Sequence, residues 1–353
     1  MHKKILIATG GTGGHVFPSI ALMEFLEKES YKVIFTTDKR GKKYFNQIKK
    51  NTIYTLPMVS FNKKNLFSFL IFPVKLIFSI FYSIIIMIKH KPITVFGMGG
   101  YASFPSCLVA KILGIKLIIY ENNIVAGKTN KFLSKLSNKV LTSFKEVVGF
   151  KNINNMIFVG NLIRYNFDEK KQIQSNKNKK LIILVIGGSQ AAKIFGEIIP
   201  EILVKCKIDG VELEINQQCL SSQMSVIQNY YKKNGVSNNL FDFIENIKHY
   251  IEKVDIVITR AGSSMLAELK NCLKPFISIP LPSSADNHQY YNAKYYSENN
   301  MGILIEEKDL KTKLEKAIKL INKDRNIIDE IIKNQYLNKD KKVFENIKQA
   351  LEN

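Results

Sequence analysis

The chain has 353 residues, which corresponds to about two domains of ordinary size. Hydrophobic residues make up 46% and charged residues 23%, and this composition excludes a disordered chain. The four cysteines are widely spaced, which excludes a small disulfide scaffold and favours free thiols. The net charge is +22, but the lysines are scattered, so we interpret most of this excess as a general surface property and predict no nucleic-acid partner. The apolar run Ile5–Ala8 is too short for a signal peptide, so we expect a cytoplasmic protein.

Short β-rich apolar runs alternate along the chain with longer helical segments, a pattern that predicts an α/β fold with parallel sheets. The predicted strands are Lys4–Thr9, Val33–Thr36, Ile93–Phe96, Lys116–Tyr120, Lys139–Leu141, Ile157–Val159, Leu181–Ile186, Glu212–Ile215, Ile256–Ile258 and Phe276–Ile279. The polar, lysine-rich stretch Glu169–Lys180 interrupts this series and indicates a linker. We therefore predict one domain over 1–164 and another over 165–334, with a helix at about 335–353 that packs back on the first. Two doubly wound sheets that face each other would surround a central cleft with the carboxyl ends of their strands.

The segment Leu66–Ile88 is almost entirely apolar and is as long as the roughly 20 residues that cross a bilayer. A single span would put the glycine-rich loops near His15 and Gly188 on opposite sides of the membrane, where they could not contact one ligand. We therefore expect a helix that lies in the membrane interface or is partly buried. The lysines that flank it and suit anionic lipid head groups are Lys63, Lys64, Lys89 and Lys91.

Three glycine-rich loops each follow a predicted strand: Gly10–Pro18 (GGTGGHVFP), Gly97–Tyr101 (GMGGY) and Gly187–Gln190 (GGSQ). A glycine turn before a helix lets backbone N–H groups approach a phosphate, and the helix dipole adds about half a positive charge there. Any one loop could instead be a tight turn that needs glycine for packing. Three of them at strand ends favour a site that holds diphosphate groups.

Two other phosphate-binding motifs are absent from the sequence. Gly127-Lys128-Thr129 resembles the end of a P-loop, but Asn122 stands where the first glycine of that motif is required. The chain also has no Asp-x-Asp pair, so we predict no metal site at a nucleotide diphosphate and no cofactor. Helix dipoles and backbone donors would then stabilise a leaving diphosphate.

These motifs resemble the MurG family of bacterial glycosyltransferases. The resemblance rests on the three glycine loops together with Glu121–Asn130, Gly160–Arg164 and Arg260–Glu268, in order from about Lys4 to beyond Gly302. It implies a GT-B fold of two Rossmann-like domains and an inverting transfer of N-acetylglucosamine from UDP-GlcNAc. The acceptor would be the 4-hydroxyl of MurNAc in undecaprenyl-diphospho-MurNAc-pentapeptide (lipid I), giving lipid II for peptidoglycan. The enzyme would act as a peripheral protein at the cytoplasmic, anionic face of the inner membrane.

The resemblance also implies a set of donor-binding residues. They are Thr12, Gly13, Gly14, Asn123, Arg164, Ser189, Ile244, Ser263, Ser264, Met265, Leu266, Ala267, Glu268 and Gln289. Asn123 would contact the sugar, Arg164 and Ser189 the diphosphate, Ile244 the uracil through its backbone, and Glu268 the ribose hydroxyls. Simpler roles stay open: Asn123 could be a turn residue, Arg164 a surface charge and Glu268 a helix-stabilising carboxylate.

An inverting transfer needs a base on the face of the sugar opposite the leaving UDP. The resemblance assigns this role to His15, which follows the first glycine loop and whose ordinary pKa near 6.5 lets it accept a proton at cytosolic pH. The alternative is that His15 only caps a helix or binds a loop carbonyl. We interpret His2, His90 and His249 as surface or structural residues.

Three positions depart from the family pattern. Ala191 replaces a glycine after Ser-Gln, Leu273-Lys274-Pro275 replaces Gly-Leu-Pro and so removes a glycine helix cap, and His288 replaces a frequent glutamine. Two other functions stay open: a transferase that moves another UDP-sugar onto another lipid, such as diacylglycerol, and a non-catalytic subunit that binds a nucleotide sugar.

Overall fold

The computed structural model describes residues 3–45, 52–58, 66–150, 153–164, 180–242 and 247–352, with the backbone alone for 66–70 and 188–192. The chain divides into two compact units, Met1–Arg164 with Asp340–Asn353, and Tyr165–Lys339. Of the predicted linker Glu169–Lys180, only Lys180 is among the described residues.

The first unit contains a seven-stranded, all-parallel sheet. Its strands are β1 (Lys4–Ala8), β2 (Lys32–Thr37), β3 (Thr52–Thr55), β4 (Thr94–Gly97), β5 (Lys116–Glu121), β6 (Lys139–Thr142) and β7 (Met156–Phe158). Its first five helices are α1 (Gly13–Lys28), α2 (Lys39–Lys42), α3 (Leu66–His90), α4 (Phe104–Ile112) and α5 (Lys128–Leu133). The strand order β3-β2-β1-β4-β5-β6-β7 makes β1 and β4 neighbours at the centre, which brings the loops that follow them together.

The second unit contains a six-stranded parallel sheet in the order β10-β9-β8-β11-β12-β13. Its strands are β8 (Leu181–Ile186), β9 (Leu213–Gln218), β10 (Ser237–Phe241), β11 (Ile256–Arg260), β12 (Phe276–Ile279) and β13 (Ile303–Leu304). Its helices are α6 (Gly188–Ile208), α7 (Ser221–Lys233), α8 (Ile247–Lys253), α9 (Ser263–Asn271), α10 (His288–Glu298), α11 (Leu310–Lys323) and α12 (Asn326–Leu337). Central strands such as β8 and β11 are almost wholly apolar and buried because helices cover both faces of a parallel sheet.

A final helix, α13 (Val343–Glu352), belongs to the first unit. Its buried face, which includes Ile347, joins the core formed by β1, β2 and α1. The rings of Phe344 and Phe25 stack with their centroids 4.9 Å apart, and the Lys116 ammonium donates to the carbonyl of Leu351 over 2.7 Å.

The predicted α/β architecture of two parallel-sheet, Rossmann-like domains is confirmed. Every predicted strand overlaps an observed one, whereas β3, β10 and β13 were not predicted. All three of these strands lie at an edge of their sheet.

Helix α3 has large apolar side chains on its outer face and small polar ones, with Ile86 and Met87, on its inner face. Phe78 and Phe81 are 62% and 63% exposed, whereas Ser79 and Ser83 are buried. The Ser83 hydroxyl donates to the carbonyl of Ser79 over 2.7 Å and lies 3.1 Å from the Ser106 hydroxyl of α4. Ser79 and Ser83, together with the buried Ile86 and Met87, therefore attach the helix to the unit, and the face that carries Phe78 and Phe81 is left uncovered.

Within the described residues, Ile71–His90 is long and apolar enough to cross a membrane, and 22% of its most apolar window is buried. This low burial distinguishes α3 from the core helix of a globular domain. The flanking residues Lys63 and Lys64 lie outside the described residues.

Candidate functional site

The first glycine loop leads directly from β1 into α1. Gly11 has φ +84°, a left-handed conformation that glycine adopts without strain. The carbonyl of Thr12 accepts hydrogen bonds from the N–H groups of His15 and Val16, over 3.1 and 3.3 Å, and so begins the helix. Thr12, Gly13 and Gly14, all predicted to contact the donor, therefore lie at the carboxyl edge of the sheet, at the positive end of the α1 dipole.

The second glycine loop holds the ring of His15. Gly99 and Gly100 have φ +89° and +75°, and the imidazole packs against their backbone. A Cβ atom at Gly99 would lie 3.1 Å from both Cε1 and Nδ1 of His15, and one at Gly100 would lie 3.3 Å from its Cδ2. Both the backbone conformation and the close approach of the ring therefore require glycine here.

Glu121, at the end of β5, organises the loop that carries Asn123. One oxygen of its buried carboxylate accepts the backbone and side-chain N–H groups of Asn123, both over 3.0 Å. The other accepts the N–H of Gly127 over 3.0 Å and the amide of Asn130 over 2.9 Å. The adjacent Asn122 donates to the carbonyl of Gly14 over 2.7 Å, so this loop is tied to the start of α1. Glu121 belongs to the Glu121–Asn130 motif, but no role was predicted for it.

Arg164 lies against the first turns of α1. Its guanidinium carbon is 3.7 Å from the centre of the Phe17 ring, a cation–π contact, and Phe17 in turn meets the edge of Tyr44 at 5.3 Å between centroids. Within the first unit, the positive charge of Arg164 is thus held near the glycine loop that precedes His15.

In the second unit, all of the predicted nucleotide-binding residues except Ile244 follow three neighbouring strands, β8, β11 and β12. Helix α6 begins at Gly188 immediately after β8, and α9 begins at Ser263 after β11. Because β8 pairs with β11, both helix N-termini lie at the same sheet edge, where their dipoles favour an anion. Gln289, on α10 after β12, accepts the N–H of Leu281 over 2.9 Å.

The first turns of α9 differ in exposure. Ser264 and Met265 are half-buried, whereas Ser263 and Glu268 are buried. The side chains of Leu266 and Ala267 are buried in the core, so only the backbone of these two residues could contact a ligand. Ile244 and the side chain of Ser189 lie outside the described residues, so their predicted roles stay predictions.

Arg260, the last residue of β11, is a buried cation for which no role was predicted. It donates to the carbonyls of Ile279 and Pro280 over 3.3 and 3.2 Å, pairs with Glu307 at 2.5 Å, and stacks on Phe195 of α6. Arg260 therefore joins β11, β12 and α6 at the edge where the predicted ligand residues lie. A basic residue at the end of an otherwise apolar strand is the sequence signal that could have indicated it.

The departure at Leu273 changes the residue but not the cap geometry. Leu273 has φ +55°, its N–H donates to the carbonyl of Lys270 over 3.0 Å, and that of Lys274 donates to Leu269 over 2.9 Å. These two bonds form a Schellman motif, so the helix keeps its usual C-cap with leucine in the glycine position. His288 begins α10, with its Nδ1 2.7 Å from the carbonyl of Ala285, and the side chain of Ala191 lies outside the described residues.

Two of the three histidines that were predicted to be surface or structural residues are among the described residues. His90, at the end of α3, has its Nε2 2.6 Å from the hydroxyl of Tyr54, and His249 is exposed on α8, whereas His2 is outside the described residues. Among the described residues, no group of three or more His, Cys, Asp or Glu side chains is arranged to hold a metal ion.

Comparisons with known proteins identify the family. The chain matches the glycosyltransferase family 28 N-terminal domain over residues 5–142 and the corresponding C-terminal domain over residues 182–347. It is 37% identical over 345 residues to the UDP-N-acetylglucosamine–N-acetylmuramyl-(pentapeptide) pyrophosphoryl-undecaprenol N-acetylglucosamine transferase of Pelagibacter ubique, covering 97% of this chain and 93% of that protein. The protein of the same name from Rickettsia bellii is 34% identical over 341 residues, covering 94% of each chain.

The fold is likewise similar to a solved structure. The crystal structure of Acinetobacter baumannii MurG superposes with a TM-score of 0.80 at 24% identity, over 99% of both chains. The chain is 37% and 34% identical to these transferases over nearly its full length, and it matches both family 28 domains. It therefore belongs to the MurG family of N-acetylglucosamine transferases.

Proposed function

We propose that this chain transfers N-acetylglucosamine from UDP-GlcNAc to the 4-hydroxyl of MurNAc in lipid I and so produces lipid II for peptidoglycan synthesis. The observation that carries the proposal is the 37% identity, over 97% of the chain, to a transferase named for this reaction. The two glycine turns around His15 and the paired helix N-termini of the second unit supply the groups that such a reaction needs.

In the proposed reaction, the acceptor 4-hydroxyl oxygen forms a bond to the anomeric carbon as the bond from that carbon to the UDP oxygen breaks. His15 accepts the hydroxyl proton, and UDP leaves with the bonding electron pair. Attack from the face opposite UDP inverts the anomeric centre. The N-termini of α6 and α9 stabilise the negative charge that grows on the diphosphate. His15 lies in the first unit and these helices in the second, so the reaction needs both.

Transfer of labelled N-acetylglucosamine to a short-chain lipid I analogue tests the proposal. We expect turnover by the wild type and a fall in kcat of about 10²- to 10⁴-fold for His15→Gln, because a positioned base contributes about that much. Binding of UDP-GlcNAc, measured by calorimetry, should be unchanged in His15→Gln. The matched control is His249→Gln, an exposed histidine of the second unit that should retain wild-type kcat.

The same assay separates the alternatives. Transfer from UDP-glucose to diacylglycerol, without transfer to the lipid I analogue, would indicate a different glycolipid transferase. Binding of UDP-GlcNAc without any transfer would indicate a non-catalytic subunit. Wild-type turnover by His15→Gln would remove the base role from His15.

We also propose that the protein binds peripherally to the cytoplasmic, anionic face of the inner membrane through α3. The exposed aromatic and aliphatic face of this helix would enter the interface, as amphipathic surface helices do. The end of the helix is basic, since Lys4, Lys89 and Lys32 all lie near His90. Burial, together with the positive charges of these lysines, lowers the pKa of His90 below its ordinary value. These lysines would attract anionic head groups beside the apolar face.

A further inference from the structure

Asp38 is a buried carboxylate beside the first glycine loop, and the function proposed above gives it no role. It follows β2, and because β2 pairs with β1, the carboxyl ends of these strands lie side by side. The Asp38 side chain is 1% exposed. Its Oδ1 accepts the N–H of Gly11 and the N–H of Gly41, each over 2.8 Å. The N–H of Gly11 is therefore directed to a protein carboxylate and not towards a ligand.

The same carboxylate also holds the second glycine loop. Its Oδ2 accepts the hydroxyl proton of Tyr101, which directly follows Gly99 and Gly100, and it lies 3.4 Å from Nε of Arg40. Arg40 in turn donates from Nη2 to the Tyr101 hydroxyl over 2.7 Å. One carboxylate thus connects the turn that precedes His15 to the turn against which the imidazole packs.

The backbones in this region leave no space for adjustment. A Cβ atom at Gly10 would lie 2.6 Å from Cβ of Ala102 and 2.8 Å from Oδ1 of Asp38. A Cβ atom at Gly41 would lie 3.0 Å from Cα of Gly10. Asp38 therefore contacts the first glycine turn through direct packing on its backbone as well as through its hydrogen bonds.

The charges keep this arrangement intact at neutral pH. Burial would raise the pKa of Asp38, but hydrogen bonds from Tyr101, Gly11 and Gly41 and the charge of Arg40 together lower it. Burial and the hydrogen bond to Asp38 raise the pKa of Tyr101 to about 12, so its hydroxyl remains a donor. Because the folded pKa of Asp38 is lowered, its stabilising contribution is present above its ordinary value of 3.8 and is lost only as the pH falls below it.

We propose that Asp38 is a positioning residue for the transfer reaction: through Gly11 and Tyr101 it fixes the two glycine turns that hold the imidazole of His15. This inference rests on the proposed function, in which His15 takes the acceptor proton. Its main readout is kcat, because His15 would act in the chemical step, whereas Thr12, Gly13 and Gly14, which follow Gly11, are predicted to contact the donor and would affect KM.

The test compares Asp38→Asn in the wild-type and His15→Gln backgrounds. In the wild-type background we expect kcat to fall about 10- to 100-fold, as for a displaced catalytic group, and the KM for UDP-GlcNAc to change by a smaller factor. In the His15→Gln background the same substitution should change the residual rate less than about twofold, because the group that it positions is gone. Tyr101→Phe removes one hydroxyl group, and we expect it to lower kcat by a smaller factor in the wild-type background and to have little effect in the His15→Gln background. This variant keeps the test usable if Asp38→Asn fails to fold.

The matched control is Asp255→Asn. Asp255 is a largely buried carboxylate that accepts the N–H of Ile182 over 2.8 Å at the amino edge of the second sheet. Asp255→Asn should leave kcat, corrected for the folded fraction, within about twofold of wild type, because Asp255 belongs to the other unit. Wild-type kcat in Asp38→Asn, or an equal loss of rate in both backgrounds, would overturn the inference.

An NMR measurement separates this inference from the proposed function. In histidine-labelled protein, Asp38→Asn should shift or multiply the His15 imidazole signals and leave those of His249 unchanged. Unaltered His15 signals would reject the positioning role, whether or not the chain transfers sugar. Absence of transfer by the wild type, with His15 signals that still change in Asp38→Asn, would reject the proposed function and leave Asp38 as a residue that holds the His15 imidazole.

Discussion

Leu273 occupies a backbone conformation that usually selects glycine, and it is buried at the same time. Its φ of +55° costs about 1–2 kcal/mol for a residue with a Cβ atom. Its side chain, however, is 1% exposed and joins the core of the second unit. Burial of a leucine side chain stabilises the fold by more than this backbone strain costs. The core therefore favours leucine at a position where the turn by itself would favour glycine.

We predict that Leu273→Gly lowers the free energy of unfolding by about 2 kcal/mol. The lost core contacts cost about 2–5 kcal/mol, and the relief of backbone strain offsets only part of that. Urea denaturation measures the change. Asn300→Gly is the control, since Asn300 is exposed with φ +52° in the same unit and its replacement should matter by less than about 0.5 kcal/mol. Greater stability in Leu273→Gly would show that strain outweighs burial.

Single residues also show where sequence reasoning about the site reaches its limit. Gly99 and Gly100 were predicted as part of a special loop because glycine after a strand is a local signal. Asp38 was not, because its function arises only when the end of β2 lies beside the loops that follow β1 and β4. Sequence patterns show which residues make a turn, whereas the contacts between turns depend on the order of strands in the sheet.

The strands that sequence analysis missed show the same limit at the level of elements. Strand β10 has the sequence SNNLF, and it lies at a sheet edge with half-buried and exposed residues. An edge strand has a neighbour on one side only and does not need the continuous apolar run that marks a central strand. The interior strands were found because burial on both faces leaves a strong local pattern.

Helix α3 supports a prediction about membrane binding. The double substitution Phe78→Ser and Phe81→Ser should weaken binding to vesicles of anionic phospholipid by about 100-fold, at about 1.5 kcal/mol for each ring that enters the interface. Because both rings are more than half exposed, the melting temperature and UDP-GlcNAc binding should stay unchanged. Vesicle flotation measures the loss.

Two exposed aliphatic residues of the second unit serve as the control for this prediction. Ile208 and Val226 are 72% and 68% exposed, and their replacement by serine should leave vesicle binding unaltered. Added salt should weaken binding of the wild type, since the lysines near the end of α3 act through long-range charge. Undiminished binding of the double Phe variant would show that α3 is not the membrane contact.

At the scale of the whole molecule, the two units share one chain that passes between them twice. The first unit is completed by α13, which contributes Ile347 at 0% exposure to its core. We predict that Ile347→Ala destabilises the first unit by about 2–5 kcal/mol, the usual cost of such a cavity. Hydrogen exchange should then accelerate in peptides from β1 and α1 but not in those from β8 and α6.

The neighbouring residue provides the control for this prediction. Lys348 pairs with Glu29 at 2.6 Å on the surface, and Lys348→Ala should leave hydrogen exchange of both units nearly unchanged because solvent screens such pairs. Equal acceleration in both units of Ile347→Ala would show instead that they unfold together.

The passage of the chain out of the first unit and back also sets an order of events during synthesis on the ribosome. Because α13 follows the whole of residues 165–339, the first unit cannot complete its core until the second has been synthesised. The second unit in turn needs α12, whose Ile328 and Ile332 belong to its core and which precedes α13 by only a few residues. Both units are therefore expected to complete their cores at nearly the same point of synthesis, although β1 and α1 are made long before.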